Sequence, residues 1–361
     1  MVAFCKSLMR YKLPGVKKFT FLTLGLAILF VTYASVRTMK LLAFILFIPN
    51  LFADGGGDTI KPVFVNRDLC GDVVGVCKSG DTYCHNYVFD KQIYNFRCDT
   101  LPQVKFWRQI MNLHKDSALV NIGHNRTILE KTHQKDWSSK SEEGRQSYRD
   151  SVRIAHGLDS THRVLLTDGK QFFYDFDKAF ANFDRGINDF VANDVDPWYA
   201  QAILLIESPN KLQKSNVGAY GPFQLMKPVA RLFGLKVNKQ LDERADFDRS
   251  AYAASSLIKT ICIPNAKQIL DSLHIAYNEN ELWFKLLVMH CYHAGSGNVR
   301  QALYTFMPTQ GDMNLIYNLW HAQTRHFRSA SQNYSQLVLA AMLEMNSRIK
   351  LEPPSGSTAS N

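Results

Sequence analysis

The sequence predicts a mainly α protein, with a helical carboxy-terminal half preceded by a small, cysteine-containing α+β region. Three observations predict it. From about residue 176 to Ile349 apolar residues recur at helical spacing, punctuated by Pro209, Gly234, Pro264, Gly295 and Gly297. Ahead of this, Cys70, Cys77, Cys84 and Cys98 crowd a loop-rich stretch, where cross-links substitute for a large core. Between the two, Arg163 to Phe176 alternates apolar and polar residues around Asp168-Gly169, a dipeptide suited to a tight hairpin turn.

At 361 residues the chain is long enough for two compact domains and a tail. The expected division is a leader over 1–53, a cysteine-containing accessory domain over 54–175, a helical domain over 176–350 and a Pro/Ser/Gly tail over 351–361. The net charge of +10 is concentrated in the leader. Residues 1–53 hold seven bases and no acid, leaving 35 bases against 32 acids beyond them. That mild excess suits an anionic polymer. No basic run interleaved with aromatics occurs, which excludes nucleic acid as the expected partner.

Phe19 to Val36 is an uncharged run behind Lys17-Lys18, at the minimum length for a membrane span. A second unit begins at Met39-Lys40, continues through the apolar run Leu41 to Ala53 and ends on a small residue, the pattern of a secretory signal. Met39 is then a candidate start. Both readings export the body to the periplasm, soluble after cleavage following Ala53 or anchored to the inner membrane. In an oxidising compartment the six cysteines Cys70, Cys77, Cys84, Cys98, Cys262 and Cys291 are disulfide candidates. The first four are expected to pair among themselves, in any of three ways, and Cys262 with Cys291. With His85 the first cluster also invites zinc, but it lacks a closely spaced cysteine pair, so no metal and no cofactor is expected.

Leu101 to about Leu158 reads as helical and polar. Asp177 is the expected cap of the next helix, whose Phe180, Phe183, Ile187, Phe190 and Val191 form a core-facing stripe. Asp196-Pro197 starts another helix with cap and first-turn proline in order. Ala202 to Ile206 is apolar on every side, so this helix is buried and delivers Glu207 at its last turn, before Pro209. Burial and the negative end of the helix dipole both disfavour a charged carboxylate, so the pKa of Glu207 should rise. A carboxyl protonated near neutrality can donate a proton to a departing glycosidic oxygen.

Around it stand three further blocks: Ser215 followed by Gly221-Pro222-Phe223-Gln224-Leu225-Met226; Cys291-Tyr292-His293-Ala294-Gly295-Ser296-Gly297; and Tyr334. With Glu207-Ser208 these resemble, in order and spacing, the four motifs of the soluble lytic transglycosylase (SLT, lysozyme-like) family, over roughly residues 196–345. The resemblance implies a lysozyme-like α domain that cleaves the MurNAc-GlcNAc β-1,4 bond of peptidoglycan. Glu207 would be the single acid and then base. The muramyl 6-hydroxyl would close on its own anomeric carbon to give a 1,6-anhydro product, as a carbon-oxygen lyase does. Ser208, Ser215, Gln224, Met226, Tyr292, His293 and Tyr334 would bind substrate or border the acid. Pro222-Phe223 depart from the family pattern and are expected to reshape the sugar-facing wall. His293, in place of the family's Asn, is expected to be neutral.

Other readings are open. A muramidase of the same fold would admit water, and a non-catalytic peptidoglycan-binding module would use 54–175 for an envelope partner. His290 and His293 share a helical face, but two nitrogens do not make a metal site, and no Gly-x-Ser-x-Gly supports a serine hydrolase. Asp242, Glu243, Asp246 and Asp248 read as a solvated loop and helix start.

Overall fold

The computed structural model describes residues 59–62, 72–77, 83–207 and 214–351. The leader, Cys70, Ser208 and the tail from residue 352 lie outside the described residues. Two three-stranded antiparallel sheets precede the helical carboxy-terminal region. In the first, β1 (Thr59–Pro62), β2 (Asp72–Cys77) and β3 (His85–Phe89) pair in the order β1-β2-β3. Cys77 and Cys84 form a disulfide across the β2–β3 connection. In the second, β4 (Ser117–Ile122), β5 (Ile128–His133) and β6 (Val164–Asp168) pair in the order β5-β4-β6. Helices α1 (Gln92–Asn95), α2 (Pro102–Asn112), α3 (Gln134–Ser138) and α4 (Glu142–Ala155) complete this small α+β region.

The carboxy-terminal region is helical. It comprises α5 (Phe176–Ala181), α6 (Phe183–Ala192), α7 (Pro197–Glu207), α8 (Lys227–Leu232), α9 (Phe247–Leu257), α10 (Ile263–Ser272), α11 (Leu282–Ala294), α12 (Ser296–Leu303), α13 (Met313–Leu319) and α14 (Ser329–Arg348). A π turn, Ile258–Cys262, joins α9 to α10. Helix α7 is buried from Pro197 to Ile206, as its uninterrupted apolar sequence requires, and α14 packs against it. Asp196 caps α7 by accepting from the Trp198 N–H at 2.9 Å. Its other oxygen meets the buried Lys285 ammonium of α11 at 2.7 Å.

One apolar core runs through both regions. Phe106, Trp107 and Ile110 of α2 lie in the same cluster as α7 and α14. Trp107 Nε1 donates to Gln336 Oε1 of α14 at 3.0 Å. Gln201 of α7 is fully buried and serves β3 as a neighbouring strand would. Its Oε1 accepts from the Val88 N–H and its Nε2 donates to the Val88 carbonyl, both at 2.8 Å. A buried amide so satisfied avoids the several kcal/mol that an unpaired one would cost. Asp184 of α6 accepts from the Asn86 N–H of β3 at 2.8 Å, so the outward-facing N–H of this strand is also satisfied.

Several expectations are corrected. Asp168-Gly169 does not turn a hairpin: β6 pairs with β4 across a long connection. Gly169 is instead a point of close approach, where a Cβ would stand 2.2 Å from the His114 carbonyl oxygen. The hairpin is β4–β5, inside the stretch expected to be helical. Its short apolar run, Ala118-Leu119-Val120, carries no helical period, and only pairing decides its state. Asp175, not Asp177, caps α5, accepting from the Lys178 N–H at 3.2 Å. Cys262 and Cys291 are not paired, and Cys98 is free as well. All three thiols are buried in the core as small apolar groups, and burial raises their pKa values, to about 12 for Cys98 and Cys291.

Candidate active site

Glu207 ends α7 at the floor of a cleft of about 740 Å³, counting its open mouth. Its pKa rises from an ordinary 4.5 to about 7, because the surrounding apolar core disfavours the charged form. A hydrogen bond donated by Tyr334 Oη to Glu207 Oε1 at 3.3 Å opposes that rise only in part. The phenols of Tyr334, Tyr292 and Tyr174 are all held protonated by burial and by the proximity of this carboxyl. They are therefore donors, never competing anions, at any ordinary pH.

The opposite wall is a loop from Lys214 to Met226. Tyr220 and Leu225 exchange backbone hydrogen bonds at 3.1 and 3.0 Å, pinching residues 221–224 into a tight turn. Gly221 sits at φ +86°, and a Cβ there would fall 1.7 Å from the Arg244 carbonyl oxygen, so no other residue fits. Gln224 has φ +47°, a left-handed conformation that costs a non-glycine residue roughly 1–2 kcal/mol. That conformation turns its side chain to the cleft, where Nε2 donates to the Gly221 carbonyl at 3.0 Å. Ser215 Oγ accepts from the Ala219 N–H at 2.9 Å and also lines the cleft, as do Met226 and Val217.

Helix α11 supplies the third side. Tyr292 Oη donates to the Phe223 carbonyl at 2.6 Å, so this phenol holds the loop in place. His293 stacks on Tyr334, with ring centroids 4.2 Å apart. Burial lowers its pKa to about 4, which leaves it neutral where Glu207 titrates. Neutral, it adds no positive charge to stabilise the carboxylate. Gly295, at φ +81°, ends the helix at the cleft rim.

The structure therefore brings Glu207, Ser215, Gln224, Met226, Tyr292, His293 and Tyr334 to one cleft. It does not place Phe223 there. That ring is fully buried between Phe190 and Phe247, at centroid distances of 5.7 and 5.5 Å, so it anchors the turn from behind instead of shaping the sugar-facing wall. His290 is also fully buried, its Nε2 2.8 Å from Ser335 Oγ, facing away from the cleft that His293 lines. The acids after the loop are engaged elsewhere: Asp242 with Arg244, Glu243 with Arg249, Asp248 with Arg185, and Asp246 as the cap of α9. Among the described residues the cleft is lined by one carboxyl.

Two residues escaped sequence reasoning. Arg244 Nη1 donates to the carbonyls of Gly218 and Leu225, both at 2.9 Å, while Nε and Nη2 grip Asp242. It pins the loop from beneath. Its only sequence signal is an Asp-x-Arg at a predicted loop, which carries no chemistry by itself. Tyr174 lies outside every motif, in the connection after β6.

Residues 189–311 match the family model for the transglycosylase SLT domain. The match takes in Glu207, the Gly221–Met226 turn and the Cys291–Gly297 block, and ends before Tyr334. The SLT segment is thus completed in space by α14, which carries the phenol that meets Glu207. No curated protein matches the chain.

Proposed function

We propose that the protein is a peptidoglycan lytic transglycosylase acting on the MurNAc-GlcNAc β-1,4 bond. The observation that carries this reading is a lone cleft carboxyl that burial holds at about pH 7, within an SLT domain. Protonated Glu207 gives its proton to the departing glycosidic oxygen. The resulting carboxylate, stabilised by the Tyr334 hydroxyl, then accepts the proton of the muramyl 6-hydroxyl as that oxygen closes on the anomeric carbon. One group serves as acid and then base, so its pKa must lie near the working pH. Two-carboxylate glycosidases hold a second acid at a set separation from the first. An attacking hydroxyl already tethered to the reacting ring gains from proximity and dispenses with the second carboxyl. Neutral His293, stacked on Tyr334, orients the phenol without adding charge. Export to the periplasm, with residues 1–53 as signal or anchor, would place the cleft beside its substrate.

Mass spectrometry of fragments released from purified peptidoglycan tests this. Fragments one water lighter than hydrolysis products, absent with Glu207→Gln, are expected. Products carrying the added water would transfer the protein to the muramidases. Release by Glu207→Gln at the wild-type rate would dismiss the mechanism.

A further inference from the structure

The β4–β5 hairpin carries an arginine and a histidine that the cleft does not use. Its tip, Gly123 to Thr127, lies against the segment that precedes α14 and against α14 itself. The His124 ring stacks on His321, with centroids 4.0 Å apart. Arg126 Nη2 donates to Asn333 Oδ1 at 3.3 Å, and Nη1 donates to Asn121 Oδ1 at 3.2 Å. The guanidinium lies over Phe106 and Trp107, 5.4 and 5.5 Å from the ring centres. Arg163 joins them from the start of β6, its carbonyl accepting from the Gly123 N–H at 2.7 Å.

The arrangement lacks what such groups ordinarily have. Arg126 is nine-tenths buried, yet no ion pair is formed by it or by Arg163 among the described residues. The acids of α4 and of the connection to β6 are spent on other bases: Glu142 on Arg145 and Arg149, Asp150 on Arg153, Asp159 on His162. Of the acids on the elements that meet here, Glu130 of β5 meets the Tyr148 hydroxyl, and Glu344 of α14 meets Arg108 and Arg348. Helix α14 begins without a side-chain cap, so its positive dipole end adds to the same field. Burial and the neighbouring Arg163 both act against the charged form of Arg126. Two arginines without an ion-pair partner among the described residues are stabilised by an anion brought from outside, and the planar guanidinium fork suits a carboxylate.

We propose that His124, Arg126, Arg163 and His321 form a carboxylate-binding subsite that grips a peptide branch of the glycan held in the cleft. This rests on the function proposed above. Asn333, which holds Arg126, directly precedes Tyr334, which meets Glu207. Cluster and acid are therefore separated by on the order of one helix diameter, ~10 Å. An extended peptide of three to five residues spans roughly 10–17 Å. A branch on a sugar in the cleft reaches the cluster, whereas the muramyl lactyl carboxyl, an amide in the intact strand and a free anion only after stripping, stays on the ring and falls short of it.

The test compares glycan strands bearing their peptides with the same strands stripped by an amidase. Binding is measured with Glu207→Gln protein and cleavage with the wild type. Peptide-bearing strands should bind about tenfold more tightly, the worth of one charge-assisted contact. Arg163→Gln should abolish that preference and leave stripped strands unaffected. Arg163 is exposed and its substitution does not threaten the fold; Arg126→Gln is the second variant. Cleavage without any peptide preference, or a preference that survives both variants, overturns the subsite and leaves the function standing. Absence of both cleavage and binding overturns both. Loss of the preference in inorganic phosphate, but not in acetate of equal ionic strength, would make the cluster a phosphate site and overturn the carboxylate assignment.

Discussion

Glu207 is costly to the fold in a way that can be measured. Its pKa is about 7 in the native protein and near 4.5 in an unfolded chain. Below pH 4.5 both states hold the proton and there is no penalty. Between 4.5 and 7 the unfolded chain releases its proton first, so stability falls as pH rises, and above 7 the full penalty remains. A shift of that size corresponds to at most roughly 3 kcal/mol. Glu207→Gln should therefore match the wild type at pH 4 and exceed it by ~1–3 kcal/mol at pH 8, measured by urea unfolding. Equal pH dependence in the two proteins would sink the idea of a carboxyl destabilised by burial. Catalysis should show the complementary limb, with activity falling as pH rises through about 7. Because the Tyr334 hydroxyl favours the ionised form, Tyr334→Phe should move that limb upward in pH while lowering kcat. Glu207 was legible in the sequence because apolar residues on all sides of one helix already imply a desolvated terminus. Tyr174 was not, since nothing local to a phenol in a loop says which carboxyl it will approach.

The loop from Lys214 to Met226 works as an element because its turn is fastened on three sides: Arg244 below, Tyr292 across and Phe223 behind. Gly221→Ala drives a methyl into the Arg244 backbone and strains φ, at an expected cost of ~2–4 kcal/mol with cleavage lost. Denaturant unfolding and a fragment-release assay on the same sample check both effects. Retained cleavage would show that the turn adapts. The Gly and Gln of this element were readable from their spacing, but the direction of Phe223 was not. Spacing specifies which residues share a turn, whereas the facing of each ring is decided by the hollow between Phe190 and Phe247. The cysteines teach the same lesson: separation in sequence permits a bridge, and packing decides it. Cys98, Cys262 and Cys291 should resist alkylation in the native protein and react on unfolding, as peptide mapping by mass would show.

Among the described residues one main core spans both regions, beside a smaller cluster of Val120, Val152 and Val164, although the sequence reads as an accessory region followed by a helical one. The composition changes near residue 176, but a change of composition does not show whether the two parts bury surface against each other. Here α2 and β3 cover α14 and α7 with Phe106, Trp107, Ile110 and Val88. A fragment starting at residue 176 would expose these apolar faces, each large side chain forfeiting about 1.5–3 kcal/mol. It should fail to give the single cooperative calorimetric transition expected of the intact protein, and a sharp transition in the fragment would show an independent domain. The Gln201 amide has one more effect. With Val88 bonded at both N–H and carbonyl, and the Asn86 N–H held by Asp184, the outer edge of β3 offers no free ladder to another chain. A partner that adds a strand, or a second copy seeking to aggregate edge to edge, finds this side closed. Among the described residues, the side of β1 is where the first sheet is left open to extension.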